Sequence, residues 1–279
     1  KYAYATLLSS YNGPDSDKYF NAVRILNYQL VHDPRTQSQN TIQFIVLVTK
    51  DVPRKPRNIL RHEGAVALVV DSIIREWVQP KWNRWNDVMA KLNLWKIGGY
   101  EKILFLDADT VLLDSLDGIF LEPATALRHT SPPISHTPDN IGLPPLPETY
   151  MIAGLHDRWI EQNIPPKPRE GGFYAVNNYM NAGFFVMSPS KAMFEYYLAL
   201  LDIPDKIDLT YPEQNLLNYV HRTAGRMPWR SLEPYWNGMT ALNQFTVPEL
   251  RALHLRSLHH QWWQQTENRS LNDYISKTV

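Results

Sequence analysis

Cysteine is absent from the 279 residues of the chain. There is accordingly no disulfide framework, no thiolate nucleophile and no zinc–thiolate centre. The lack of thiols suits cytosol and secretory lumen alike. Neither sign of charge is in excess, with Lys+Arg and Asp+Glu at 28 each, so nothing argues for nucleic acid or a bulk anionic surface as partner. No apolar run is long enough to span a bilayer, and no signal peptide opens the chain. The opening KYAYATLLSS nevertheless reads as a core strand from residue 2, which suggests that an N-terminal segment, such as a membrane anchor, has been removed.

What is present is a hydrophobic content of 44% and a charged content of 20%, ordinary for a globular enzyme. The length suits one large domain, or two at most, with ample core. Nine Trp and 15 Tyr stand out. Flat rings stack on sugar C–H faces and on nucleobases, and they also simply pack cores.

The first half alternates strand and helix. Strands are expected over Tyr2 to Ser9, Ile42 to Thr49, Val66 to Val70 and Ile103 to Leu106. The near-continuous β-branched run IQFIVLVT is typical of a strand buried on both faces. Helices are expected over Tyr19 to Val31, with Phe20, Val23, Leu26, Asn27 and Leu30 on one side, and in a short segment closed by Gly64. A third follows from the spacing of Trp85, Val88, Met89, Leu92 and Trp95. This alternation implies an α/β protein with a Rossmann-like, mostly parallel central sheet flanked by helices. From Pro123 to Asn178 the chain is Pro-rich and reads as a long loop-like, semi-extended stretch. Beyond it, NAGFFVMSPS reads as a strand and helix start, KAMFEYYLALL and PEQNLLNYVHR as helices, and RALHLRS as a last short strand.

Chemistry concentrates at ILFLDADTVLL. Asp107 and Asp109 follow directly on an apolar strand, where ligands sit in open α/β sheets. Two carboxylates so close repel unless a cation lies between them, and oxygen ligands with one imidazole suit Mn²⁺ or Mg²⁺. A solvated turn with a helix N-cap explains the same residues, and Asp15-Ser16-Asp17 repeats the spacing elsewhere. Asp114 and Asp117, further on, are assigned to solvent and the following turn.

Together with the upstream MAKLNLW and the downstream NAGFFVMSPS, ILFLDADTVLL resembles the family 8 glycosyltransferases, the glycogenin-like group. The resemblance runs from YATL to HHQWW, and the Pro-rich segment looks like an insertion of a fungal or plant type. It implies a GT-A fold in a single domain over residues 1–279. Residues 1–122 would be the nucleotide-sugar-binding half, 123–178 the insertion and 179–279 the half that completes the acceptor and metal sites. It also implies a metal-dependent, retaining transfer from a UDP-sugar to a glycan, glycolipid or protein acceptor.

Carried over by position, Asp107, Asp109 and His254 would hold the metal, with Asp107 also reaching the ribose and Ala108 between them. Thr6, Leu7 and Tyr19 would meet uracil and ribose, and Lys91 the donor. Asn181, Ala182 and Gly183 would line the donor sugar, where Gly183 lets backbone come close. Glu213 and Gln214 match the family's Asp-Gln motif; a carboxylate there could stabilise an oxocarbenium-like transition state. Asp-to-Glu displaces the oxygens and argues against a nucleophile, favouring same-face attack. Ser257 and His260 depart from the family's Gly and Lys, and diphosphate binding is expected to be weaker or more pH-sensitive. Plainer roles exist for each: core packing for His254 and Tyr19, a solvated helix lysine for Lys91, a first-turn charge for Glu213.

No tyrosine lies between Tyr235 and Tyr274, so self-glucosylation of the glycogenin kind is not expected and the acceptor is a separate molecule. Tyr150, Trp159, Phe173 and Tyr174 of the insertion are candidates for an acceptor wall or lid. The alternative function is a non-catalytic UDP-sugar-binding relative. A nucleotidyltransferase would want a Gly-rich basic loop that LLSSYNGPDSDK does not supply. One N-glycosylation sequon, Asn268-Arg269-Ser270, favours a Golgi-lumenal type II enzyme over a cytoplasmic one.

Overall fold

A computed structural model describes residues 1–9, 16–82, 85–133, 142–157, 179–239 and 251–254. Strand β1 (Tyr2–Leu8) leads to helix α1 (Ser16–Val31), then β2 (Gln43–Thr49), α2 (Arg54–His62) and β3 (Val66–Val70). After a 3₁₀ segment, Val88–Lys96, come β4 (Lys102–Leu106) and the short β5 (Thr110–Leu112). Two small strands, β6 (Arg128–His129) and β7 (Thr149–Tyr150), pair antiparallel. They precede β8 (Ile152–His156), β9 (Met180–Met187), α3 (Lys191–Leu201), α4 (Pro212–Val220), β10 (Arg230–Ser231), β11 (Gly238–Met239) and β12 (Ala252–His254).

The central sheet has seven strands in the order β10-β8-β9-β4-β1-β2-β3. β1 to β4 are mutually parallel, and β9 is antiparallel to both β4 and β8. The expected mostly parallel α/β sheet is therefore present. Period-2 alternation divides its apolar residues between two cores. Tyr4, Val46, Leu104 and Phe184 face one side, together with Phe20, Val23 and Leu26 of α1. Ala5, Ile45, Phe105 and Phe185 face the other, against α3, α4 and the 3₁₀ segment. Every residue of β9 is buried, which is why its sequence lacks polar alternation. Gly64 closes α2 with φ +97°, a left-handed turn that glycine adopts without a Cβ penalty. Ser190 caps α3 by accepting the Met193 N–H at 3.3 Å.

Three expectations are corrected. The helical spacing from Trp85 to Ile97 is realised as a 3₁₀ segment in which Met89 to Trp95 are all buried. Wedged against α3, α4 and the sheet, it buries Lys91 and leaves only the lysine at its end, Lys96, exposed. The Pro-rich stretch is not loop throughout, because residues 149–156 supply β7 and β8, the latter within the central sheet. The prolines on both sides masked a short apolar run, TYMIAGLH, that β9 can pair. Asp117 is no solvent-facing turn residue. Its Oδ1 accepts from Tyr4 Oη at 2.5 Å, and its Oδ2 accepts from Ser38 Oγ, Gln39 N and Asn40 Nδ2 at 3.1, 2.9 and 2.8 Å. Asp114, half exposed, pairs with Arg251.

Candidate active site

The site lies where β1 and β4 end, at the carboxyl edge of the parallel strands. Asp107 extends the ladder one residue beyond β4, its N–H donating to the Gly183 carbonyl at 2.8 Å. The Thr110 N–H then donates to the Asp107 carbonyl at 3.1 Å, closing a turn that places Asp107 and Asp109 side by side, both partly exposed. β5 follows at once and pairs antiparallel with β12, setting His254 opposite Thr110. On its other edge β5 is held by α1, because the Gln29 side-chain amide donates to Leu112 O at 2.9 Å and accepts from Leu112 N at 3.1 Å. An amide thus stands in for the missing neighbouring strand.

Lys91 rises into this site from the 3₁₀ segment. Its Nζ lies 2.9 Å from Asp107 Oδ1, 2.8 Å from Glu213 Oε1 and 3.3 Å from the Ala182 carbonyl, and 4.8 Å from the Phe105 ring centroid. Burial works against the ammonium, but the Asp107 and Glu213 carboxylates outweigh it and hold the group above the usual lysine range. One ammonium between two carboxylates leaves this trio one negative charge in excess, in a place reached by solvent at Asp107.

Glu213 sits in the first turn of α4, behind Pro212, and is buried. A carboxylate there is favoured by the helix N-terminus as well as by Lys91. Gln214, next to it, spans β9 and the end of β8. Its Oε1 accepts from Ala182 N at 2.9 Å and from Asn181 Nδ2 at 3.4 Å, and its Nε2 donates to Asp157 Oδ2 at 2.9 Å. Asn181 Oδ1 in turn accepts from Gly183 N at 2.8 Å. Tyr179 donates its hydroxyl to Asn215, and burial pushes that phenol up to about 12.

Asp107, Lys91, Ala182, Gly183, Asn181, Glu213 and Gln214, which lie far apart in sequence, thus form one connected cluster. Asp109 and Ala108 adjoin it, with Ala108 buried in the α1-side core. The register Ala5↔Phe105 carries Thr6 and Leu7 level with Leu106 and Asp107. Thr6 is fully buried with an unpartnered Oγ1, and Leu7 and Tyr19 are partly exposed. His254 is described through its backbone only, and Ser257 and His260 lie outside the described residues, as do Trp159, Phe173 and Tyr174. Sequence reasoning missed Asp157, a buried acid. Its signal was weak: one aspartate after IAGLH, in a stretch whose prolines concealed a strand.

Asp107 and Asp109 present two acidic oxygen donors at the strand terminus, of the kind that hard divalent cations take, and the backbone of His254 lies opposite Thr110. Among the described residues no three His, Asp or Glu side chains gather into a group that could hold a metal ion.

Residues 78–268 match the family model described as Glycosyl transferase family 8. An uncharacterized protein of Schizosaccharomyces pombe is 27% identical over 290 residues, covering 94% of this chain and 74% of its own. Galactinol synthase 2 of Solanum lycopersicum is 26% identical over 203 residues, covering 67% of this chain and 52% of that protein. Among solved structures, the galactosyltransferase LgtC in complex with donor and acceptor sugar analogs superposes with a TM-score of 0.59 at 15% identity, over 99% of this chain and 94% of that one. The sheet, its flanking helices and the acidic strand end define a protein of the GT-A class. The chain belongs to glycosyl transferase family 8.

Proposed function

We propose that this glycosyltransferase moves a hexose-type sugar from a UDP-sugar to an acceptor hydroxyl with retention of anomeric configuration. The observation that carries the reading is the Lys91 ammonium, fixed between Asp107 and Glu213 and against the Ala182 carbonyl at the strand ends. Asp107, Asp109 and His254 would hold Mn²⁺ or Mg²⁺, which when bound neutralises the charge of the leaving diphosphate. Lys91 keeps the Asp107 and Glu213 carboxylates apart and supplies positive charge beside the departing group. The buried amide of Asn181 and the partly buried amide of Gln214 present fixed dipoles to the sugar. Glu213 has one oxygen committed to Lys91, which supports a same-face path in which the acceptor hydroxyl protonates the leaving phosphate over a protein-bound covalent intermediate. The acceptor is a separate glycan, glycolipid or protein, and the setting is the Golgi lumen.

The test is UDP release and product mass spectrometry from UDP-glucose, UDP-galactose, UDP-N-acetylglucosamine and UDP-glucuronic acid, with Mn²⁺ and with EDTA. Transfer from at least one donor that stops with EDTA is expected. Mn²⁺-dependent UDP binding without transfer or hydrolysis of any donor would leave a binding module instead.

A further inference from the structure

Asp157 lies immediately after β8, buried, and its N–H donates to the Tyr179 carbonyl at 2.9 Å, which anchors it beside the start of β9. Its Oδ2 accepts the Gln214 Nε2–H at 2.9 Å. On the other side of the same amide, the Ala182 N–H points at Gln214 Oε1 from 2.9 Å. A backbone N–H can only donate and an ionised carboxylate can only accept. Turning the Gln214 amide over would set donor against donor at Ala182 and acceptor against acceptor at Asp157. Only one orientation satisfies both neighbours.

The constraint passes on. With Gln214 Oε1 fixed, Asn181 must offer its Nδ2 to it, at 3.4 Å, and this matches the use of Asn181 Oδ1 by the Gly183 N–H at 2.8 Å. The Ala182 and Gly183 N–H groups thus select the orientation of the two side-chain amides, and the Asp157 carboxylate holds the far end of the pair by Gln214 Nε2. Buried polar networks of this kind are costly when a single member is reversed.

We propose that Asp157 is a positioning residue for glycosyl transfer: its carboxylate anchors the Gln214 amide by Nε2 and so holds the Gln214 and Asn181 side chains in place beside the donor sugar. The proposal rests on the transferase reading of the site. It assigns a role to a residue from the segment that separates the two halves of the fold in sequence.

Asp157→Asn, nearly isosteric, replaces the ionised acceptor by a neutral amide and so weakens the anchor on Gln214 Nε2, while the Ala182 N–H keeps the orientation of that amide. The expected result is a kcat reduced about tenfold, with donor KM changed by less than about twofold. Gln214→Glu alone sets two carboxylates against each other and should be worse. In Asp157→Asn with Gln214→Glu, the Asn amide donates to the new carboxylate, which still accepts from Ala182, and kcat should recover relative to Gln214→Glu. In parallel, ¹⁵N NMR of the wild type should show a downfield, slowly exchanging Gln214 side-chain proton that is lost in Asp157→Asn. Wild-type kcat in Asp157→Asn, an unmoved Gln214 resonance, or a double variant no better than Gln214→Glu would overturn the proposal. If the wild type transfers no sugar, the functional reading falls, and the NMR comparison still decides whether Asp157 anchors the amide.

Discussion

Lys91 Nζ stands 2.8 Å from Glu213 Oε1, a buried ion pair between residues 122 positions apart. The same ammonium holds Asp107, so it ties the 3₁₀ segment, the end of β4 and the start of α4 together. Replacing Lys91 by Met leaves the buried Glu213 carboxylate without its ammonium partner, a loss of roughly 3–5 kcal/mol in stability. Urea denaturation at pH 7 reads it directly. Adding Glu213→Gln should return part of the stability without restoring turnover. A Lys91→Met protein as stable as the wild type would show that the ammonium does not hold the site.

Asp109 lies in a partly exposed turn, so Asp109→Asn should leave stability within about 0.5 kcal/mol. Mn²⁺ affinity in the presence of UDP should fall roughly 100-fold. Isothermal titration with Mn²⁺ at fixed UDP checks this, and unchanged affinity would remove Asp109 from the metal set.

His221 offers a pH-dependent stability contribution far from the strand ends. It is buried, with Nδ1 2.7 Å from the Met227 carbonyl and Nε2 2.6 Å from Tyr197 Oη. Nδ1–H therefore donates to the carbonyl and Nε2 accepts the phenol proton. Burial lowers its pKa from 6.5 to about 4, Met227 partly opposes this, and the charge of Arg128 adds to it. The unfolded chain takes up the proton first as pH falls. The stabilisation is complete above pH 6.5 and is lost on descending toward pH 4, by roughly 3 kcal/mol in all. Unfolding free energies at pH 7 and pH 5 should differ more in the wild type than in His221→Phe. Equal differences would acquit His221.

Gly154 in β8 faces Met180, the residue before Asn181. A Cβ at position 154 would come 2.7 Å from both Cγ and Sδ of Met180, a distance at which one side must shift. Gly154→Ala should cost about 1–3 kcal/mol, measured as a lower thermal midpoint. Gly154→Ala with Met180→Ala should regain part of it. No change in midpoint for Gly154→Ala would mean that Met180 repacks freely.

Much of the sheet was legible because near-continuous apolar runs such as IQFIVLVT declare burial on both faces before any partner is known. β8 was not, since its five residues sit among prolines and pair only with β9 and β10, strands encoded later. The 85–97 periodicity correctly signalled an element buried against the sheet. It did not report the tighter 3₁₀ winding, because three- and four-residue spacings overlap over so short a span. Among site residues, Asp107 and Asp109 were visible by their place after a strand, and Lys91, Asn181, Glu213 and Gln214 through the family resemblance. Asp157 had neither signal.

The sequence by itself determined the alternation of strands and helices, the acidic terminus of β4 and the order of motifs that marks the family. These are local properties, written in the spacing of neighbouring side chains. The tertiary structure decided that Lys91 is buried between two acids, that Asp117 anchors Tyr4 from 113 positions away, and that Asp157 meets Gln214 across 57. Such pairings depend on strand order and crossing helices, which bring together groups whose separation along the chain carries no record of their contact.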